Sequence, residues 1–188
     1  MQYLWNTQQA GLVLRAGVPG AELKLKCYVD ASYLTHSDSK SHTGYCLSFG
    51  EVGVFYAKKT KQTLVTTSST HAEMRALYQL VLEIVYVVTL CAEMGRPISL
   101  PAIVLEDNQP VIDLSKDFNR RSKKCKHFLM LVNYIREQVL TGLISISKVR
   151  TEDNLADILT KIVQGGLFIE KAEQLLGMQI FGNDPQDC

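Results

Sequence analysis

The chain has 188 residues, 46% of them hydrophobic, with 20 Lys and Arg against 19 Asp and Glu for a formal net charge of +1. That length and apolar content suit one globular domain with a full core. The balanced charge excludes a global attraction to polyanions, so any nucleic-acid contact must come from local basic clusters.

The opening MQYLWNTQQAG lacks a basic stretch followed by an apolar one, so no secretory signal is expected. GLVLRAG (11–17) and ELKLKCYVDAS (22–32) read as strands separated by the turn-like VPGA. TGYCLSFG (43–50) and VGVFYAKK (52–59) follow, which predicts three antiparallel strands between about 22 and 59. After the hydroxyl-rich TTSST a helix is predicted from about 70 to 94, stopped by Gly95 and Pro97. Residues 76–94 approach membrane hydropathy, but they contain Gln79, Glu83, Thr89 and Glu93, and burial inside a domain accounts for such a helix without a membrane. AIVLED (102–107) is a short strand, Asn108 caps a short helix over PVIDLSK, and FLMLVNYIREQVL (128–140) is an amphipathic helix ending near Gly142. LISISKV is the last strand. Asp153 or Asn154 caps a helix over LADILTKIV (155–163), a Gly-Gly break leads to a closing helix at about 168–176, and FGNDPQDC is a loose tail. Three antiparallel strands followed by alternating helices and strands predict an α/β fold, a mixed sheet with helices packed on its faces.

Five cysteines (Cys27, Cys46, Cys91, Cys125, Cys188), odd in number and without a C-x-x-C pair, argue against a disulfide framework or zinc site and for a reducing compartment.

Glu73 is the first residue to need an explanation. At 100° per residue it lines up with Leu80, Ile84 and Cys91, on the apolar side of its helix. An unpaired charge facing a core costs several kcal/mol, on the order of what a donor, a cation or a metal must offset. Three more acids fall where this topology can gather them: Asp30 ending the first long strand, Asp107 ending AIVLED, and Asp157 on the late helix. Ligands of open α/β sheets lie beyond the carboxyl ends of the strands. Clustered carboxylates become tolerable around divalent cations, and oxygen donors without His or Cys favour Mg²⁺ or Mn²⁺ over zinc.

YVDAS, SSTHAEMRAL, LEDNQPVI and TEDNLADILTK, in that order, resemble the ribonuclease H domain of copia-type LTR retrotransposon Pol polyproteins, over a stretch running from YLWNTQQAGLVL to about Gly177. The resemblance implies a ribonuclease H-like fold, a five-stranded sheet of three antiparallel and then two parallel strands with helices on both faces. It divides the chain into the end of a reverse transcriptase or connection segment (1–21), the ribonuclease H domain (22–178) and a flexible tail (179–188). It further implies hydrolysis of the RNA strand of RNA/DNA hybrids with two Mg²⁺ or Mn²⁺ held by Asp30, Glu73, Asp107 and Asp157, beside the reverse transcriptase of the same polyprotein. The compartment would be the cytoplasm, in a virus-like particle, or the nucleus.

Each acid also has a plainer explanation. Thr70-x-x-Glu73 fits a capping box; Glu106 could replace Asp107 as ligand, although alternation groups Asp107 with Ile103 and Leu105; Asp30 could be a solvated strand end; and Asp157 could serve only the helix dipole. Arg120, Arg121, Lys123, Lys124, Lys126 and His127 in NRRSKKCKH would contact hybrid backbone, as would Ser69, Thr70 and Asn108 at helix starts, since phosphate affinity needs local cations, hydroxyls and N–H groups. A second patch is Lys58, Lys59 and Lys61. The histidines His36, His42, His71 and His127 show no ligand spacing and read as surface residues, and the TEDN loop offers no histidine to shuttle protons. Two competing readings are an inert module of the same fold and an integrase-like core. The integrase reading places its last catalytic Glu on a late helix, whereas here the acidic helix falls between Asp30 and Asp107.

Overall fold

Alternation along LKLKCYVDAS gives a strand with two unlike faces: Leu25, Cys27, Val29 and Ala31 enter the main core, while Tyr28 belongs to a second, smaller one. This strand, β1 (Leu23–Ser32), is central in the computed structural model, which describes Leu12 and residues 22–34, 38–50, 53–117 and 128–177. It pairs antiparallel with β2 (His42–Phe49), which pairs antiparallel with β3 (Val54–Lys61). On its other side β1 runs parallel to β4 (Ile98–Glu106), and β4 parallel to β5 (Ile144–Lys148), giving the order β3-β2-β1-β4-β5. The expected mixed sheet of five strands is therefore present.

The main core lies under α1 (Ser69–Glu93), α2 (Gln109–Lys116) and α3 (Leu129–Leu140), where Leu77, Leu80 and Ile84 meet Val104, Ile135 and Ile146. The second core, Tyr28, Cys46, Val54, Leu155 and Ala156, lies on the opposite face toward α4 (Asp157–Thr160) and α5 (Gly165–Leu176). Helices cover both faces, as predicted. The α1 segment is long and apolar enough to cross a membrane by length and composition alone, and the residues buried along it, from His71 to Ile84, pack into this domain. Arg136 of α3 is buried and donates from Nε to Leu114 O (2.8 Å) and from Nη2 to Asp117 O (2.5 Å), closing the last carbonyls of α2.

Two elements differ from expectation. β4 begins at Ile98: Pro101, which cannot donate to the ladder, sits in a register irregularity between the Lys24–Ser99 and Lys26–Ile103 pairs and leaves those flanking pairs intact. The helix expected over 155–163 is a single turn, Asp157–Thr160, after which Lys161 is extended (φ −119°, ψ 160°) and Ile162 stands 91% exposed. Apolar spacing misleads there because Lys161 is turned back onto two carboxylates. Neither proposed residue caps α4, whose N-cap is Ala156 without a side-chain bond: Asn154 Oδ1 accepts Ala156 N–H (3.1 Å) in the preceding turn and its Nδ2 donates to Val29 O (2.9 Å), while exposed Asp153 binds Arg150 (2.8 Å). The strand expected at 11–17 beyond Leu12, the basic segment with Arg120, Arg121, Lys123, Lys124, Lys126 and His127, and the tail lie outside the described residues.

Gly44, opposite Asp30 in the β1–β2 register, lets α4 lie directly on the sheet. A Cβ there would stand 2.6 Å from Thr160 Cγ2 and 2.9 Å from Leu159 Cβ. Gly44→Ala is therefore expected to lower the unfolding free energy by about 1–3 kcal/mol, as overpacking does, measured by urea unfolding; an unchanged midpoint would refute this account of the contact.

Candidate active site

β1 and β4 are parallel neighbours, and their register pairs Cys27 with Val104 and Tyr28 with Leu105. Carried two residues further, it sets Asp30 level with Asp107, both at carboxyl ends and both on the α4 face. Asp157, in the first turn of α4, completes the group: each of Asp30, Asp107 and Asp157 offers a carboxylate oxygen within 4.8 Å of the others. Asp30 and Asp157 are buried, and Asp107 is half-buried.

Lys161 Nζ lies among them, 3.0 Å from Asp30 Oδ1 and 2.5 Å from Asp157 Oδ1. Thr160 Oγ1 donates to Asp30 Oδ2. The other Asp157 oxygen accepts from Lys171 Nζ (3.2 Å), a buried ammonium that also donates to Asn154 O (2.5 Å). Asp107 Oδ2 accepts from Thr151 Oγ1 (3.0 Å), and Lys148 Nζ donates to the Asp107 carbonyl. Asp157 is thus no solvated dipole partner. Lys171 of α5 thus gathers the carbonyls and carboxylate of the last loop, while Asn154 Nδ2 ties that loop to Val29 O of β1 (2.9 Å).

Glu73 is not in that group. It arrives from the other face of the sheet on α1, 6% exposed, and its Oε2 has no hydrogen-bond partner. It takes no part in a capping box: Ser68 is the cap, accepting His71 N–H at 3.1 Å. Gln62 fixes this turn by donating from Nε2 to Ala72 O (2.9 Å) and Thr43 Oγ1 (3.0 Å). Glu106 continues the alternation of Ala102 and Val104 toward α1 and is fully buried, its Oε1 accepting Asn108 N–H (2.9 Å) and its Oε2 unpartnered.

Burial raises the Glu73 carboxyl well above its usual range, with Glu106 the strongest neighbouring charge and Asp30 and Asp107 after it. Burial likewise pushes Glu106 up to about 8. Desolvation also raises Asp30, which Lys161 and Thr160 pull back only in part. Desolvation works to lower Lys161, but Asp30 and Asp157 outweigh it and hold the ammonium charged. All donors here are oxygens, and two are buried without a partner, so the residues suit hard divalent cations.

Of the other expected contacts, Ser69 is exposed and Thr70 half-buried in the first turn of α1, and Asn108 caps α2 by accepting Val111 N–H (3.3 Å). Lys58 and Lys61 of the second basic patch are bound to Glu83 and Asp38, each at 2.8 Å. His71 corrects the expectation of a surface residue: it is buried and stacked on Phe128, centroids 4.7 Å apart. Sequence reasoning missed Thr160, Lys161 and Lys171. The i,i+4 spacing of Asp157 and Lys161 was a usable signal; Lys171 carried none.

No protein-family model matches the chain. It is 32% identical over 164 residues to the retrovirus-related Pol polyprotein from transposon RE2 of Arabidopsis thaliana, covering 86% of this chain and 11% of that one. Against the Pol polyprotein from transposon TNT 1-94 of Nicotiana tabacum it is 32% identical over 160 residues, covering 85% and 12%. The chain thus spans about an eighth or less of the length of these relatives. In fold it is similar to LC11-RNase H1 isolated from compost (TM-score 0.53, 13% identity, 73% and 92% covered). It is likewise similar to the RNase H domain of rv2228c from Mycobacterium tuberculosis (0.52, 18%, 81% and 98%).

Two measurements test this electrostatic arrangement. Because the folded acid Glu106 holds its proton up to about 8 while the unfolded one releases it near 4.5, the folded state binds more protons across that window. Stability of the metal-free protein must then fall as pH rises through it. Thermal midpoints in EDTA are expected to drop between about pH 5 and pH 8, with Mg²⁺ restoring them at the upper end; a flat or rising profile would contradict the burial of these acids. Lys161→Met should lower the metal-free midpoint and tighten Mn²⁺ binding in calorimetry, since the ammonium competes for the same oxygens. Unchanged or weaker binding would remove Lys161 from that role.

Proposed function

Since the chain is related to the Pol polyproteins of copia-type LTR retrotransposons and takes the ribonuclease H fold, we propose that it is an endonuclease that hydrolyses the RNA strand of RNA/DNA hybrids. The observation that carries this reading is the convergence of Asp30, Asp107 and Asp157 at the ends of two parallel strands and one helix, with Glu73, whose Oε2 has no partner, on the α1 side of the sheet.

These acids would hold two Mg²⁺ or Mn²⁺. Bound there, the ions supply activation of a water and stabilisation of the departing oxygen. The protein's own part is positional. Thr151 aims the Asp107 carboxylate, Asn154 ties the last loop to β1, and Lys171 holds Asp157 from behind. Gln62 sets the depth of Glu73 through the Ala72 carbonyl. Lys161 neutralises the cluster and must turn outward, which its 41% exposed side chain allows.

Hybrid would be held by Arg120, Arg121, Lys123, Lys124, Lys126 and His127 on the backbone, and by Ser69, Thr70 and Asn108 at the starts of α1 and α2, contacts that need no base readout. The partner domain is the reverse transcriptase of the same polyprotein, and the compartment a cytoplasmic particle or the nucleus. An inert hybrid-binding module is the second reading, favoured by the Lys161 ammonium lying where a cation would.

A labelled RNA/DNA hybrid with Mg²⁺ or Mn²⁺ separates the two readings. The parent is expected to cut the RNA strand and leave duplex DNA intact, with Asp107→Asn at least about a hundredfold slower, the order seen when one preorganised electrostatic stabiliser is lost. Equal cutting by Asp107→Asn would overturn the assignment.

A further inference from the structure

Glu106 has no role in the arrangement above, yet it is the most deeply buried acid of the group. It is fully inaccessible, at the end of a strand whose preceding inward residues, Ala102 and Val104, are pure core. A carboxylate at such a position is expensive to desolvate, and a buried acid normally has both oxygens satisfied. Here one oxygen accepts Asn108 N–H at 2.9 Å and the other has no partner.

Glu73 repeats the pattern from the facing helix, with a buried Oε2 that also lacks a partner. Among the charges acting on Glu73, Glu106 is the strongest. Both acids lie on the α1 side of the sheet, Glu106 at the end of β4 and Glu73 in the first turns of α1, each buried with one oxygen that lacks a partner. The three aspartates occupy the α4 side. No described Lys or Arg is bonded to either unpartnered oxygen, in contrast to the α4 side, where Lys161 reaches Asp30 and Asp157.

We propose that Glu106 is a fifth carboxylate of the metal centre, joining Glu73 to hold one divalent cation of the Mg²⁺ or Mn²⁺ class on the α1 side. This deepens the metal-dependent reading above and rests on it. Asp107 and Glu106 then work from opposite faces of one strand end, Asp107 toward the aspartates and Glu106 toward Glu73. Asn108 fixes Glu106 through its backbone N–H while its side chain caps α2, so the ligand is oriented by the helix start. The oxygens that find no donor inside the protein are those that a hard cation would use.

The test uses Mn²⁺ alone as probe, with no nucleic acid. Calorimetry on the parent is expected to show two sites. Glu106→Gln, which keeps the shape and removes the charge, should weaken one of them by at least about tenfold and leave the other within error. Unchanged Mn²⁺ binding by a folded Glu106→Gln variant would overturn the inference while leaving the two-metal reading intact. No Mn²⁺ binding by the parent would overturn both. Should Glu106→Gln fail to fold, the parent decides the matter: in a Mg²⁺ titration followed by carboxyl ¹³C NMR, the Glu106 resonance must move together with Glu73. A Glu106 signal that stays still while Asp107 moves would mark it as a buried acid only.

Discussion

Carboxylates collected at the ends of two adjacent parallel strands repel one another, and the surrounding structure is arranged against that repulsion. Asp30 and Asp157 are buried, so water cannot screen them. Lys161 supplies one positive charge on the α4 side and Lys171 a second from beneath, while Thr160 and Thr151 donate hydroxyls. The α1 side has less relief: Asn108 N–H bonds one Glu106 oxygen, and Lys161 acts on Glu73 without a bond. Glu73 and Glu106 each keep one buried oxygen without a partner, and burial holds both carboxyls above the ordinary range. The charge is thus largely compensated on the α4 face and less so on the α1 face, an arrangement whose oxygens suit hard divalent cations.

The scaffold explains why the acids can meet at all. Parallel pairing of β1 and β4 brings two strand ends to the same edge, and alternation sends Asp107 and Glu106 to opposite faces. The bare backbone of Gly44 lets α4 press against β2 opposite Asp30, which sets the height of Asp157. On the other face Gln62 ties the first turn of α1 to β2, so that Glu73 stands at a fixed depth. Each tether joins elements far apart in the chain.

Much of this was legible in the sequence. Alternation in LKLKCYVDAS, the apolar run after THAEM and the short strand ending LED were enough to predict a mixed sheet with helices on its faces, and Glu73 announced itself by lying on an apolar face. What stayed hidden depended on tertiary contact. The proline in β4 disguised the first half of that strand, which survives because the register slips around it. Apolar spacing extended α4 through Ile162, whereas the turn ends where Lys161 folds back onto Asp30 and Asp157. Lys171, more than a dozen residues from Asp157, had no spacing to betray it. Glu106 was weighed only as a substitute for Asp107; its burial gives it a place of its own.

The most direct measurement is anomalous diffraction from crystals of the domain grown with Mn²⁺. The account predicts two peaks, one among Asp30, Asp107 and Asp157 with Lys161 displaced toward solvent, and one against Glu73. Crystals in which Lys161 still bridges Asp30 and Asp157 and no peak lies near any of these acids would contradict it.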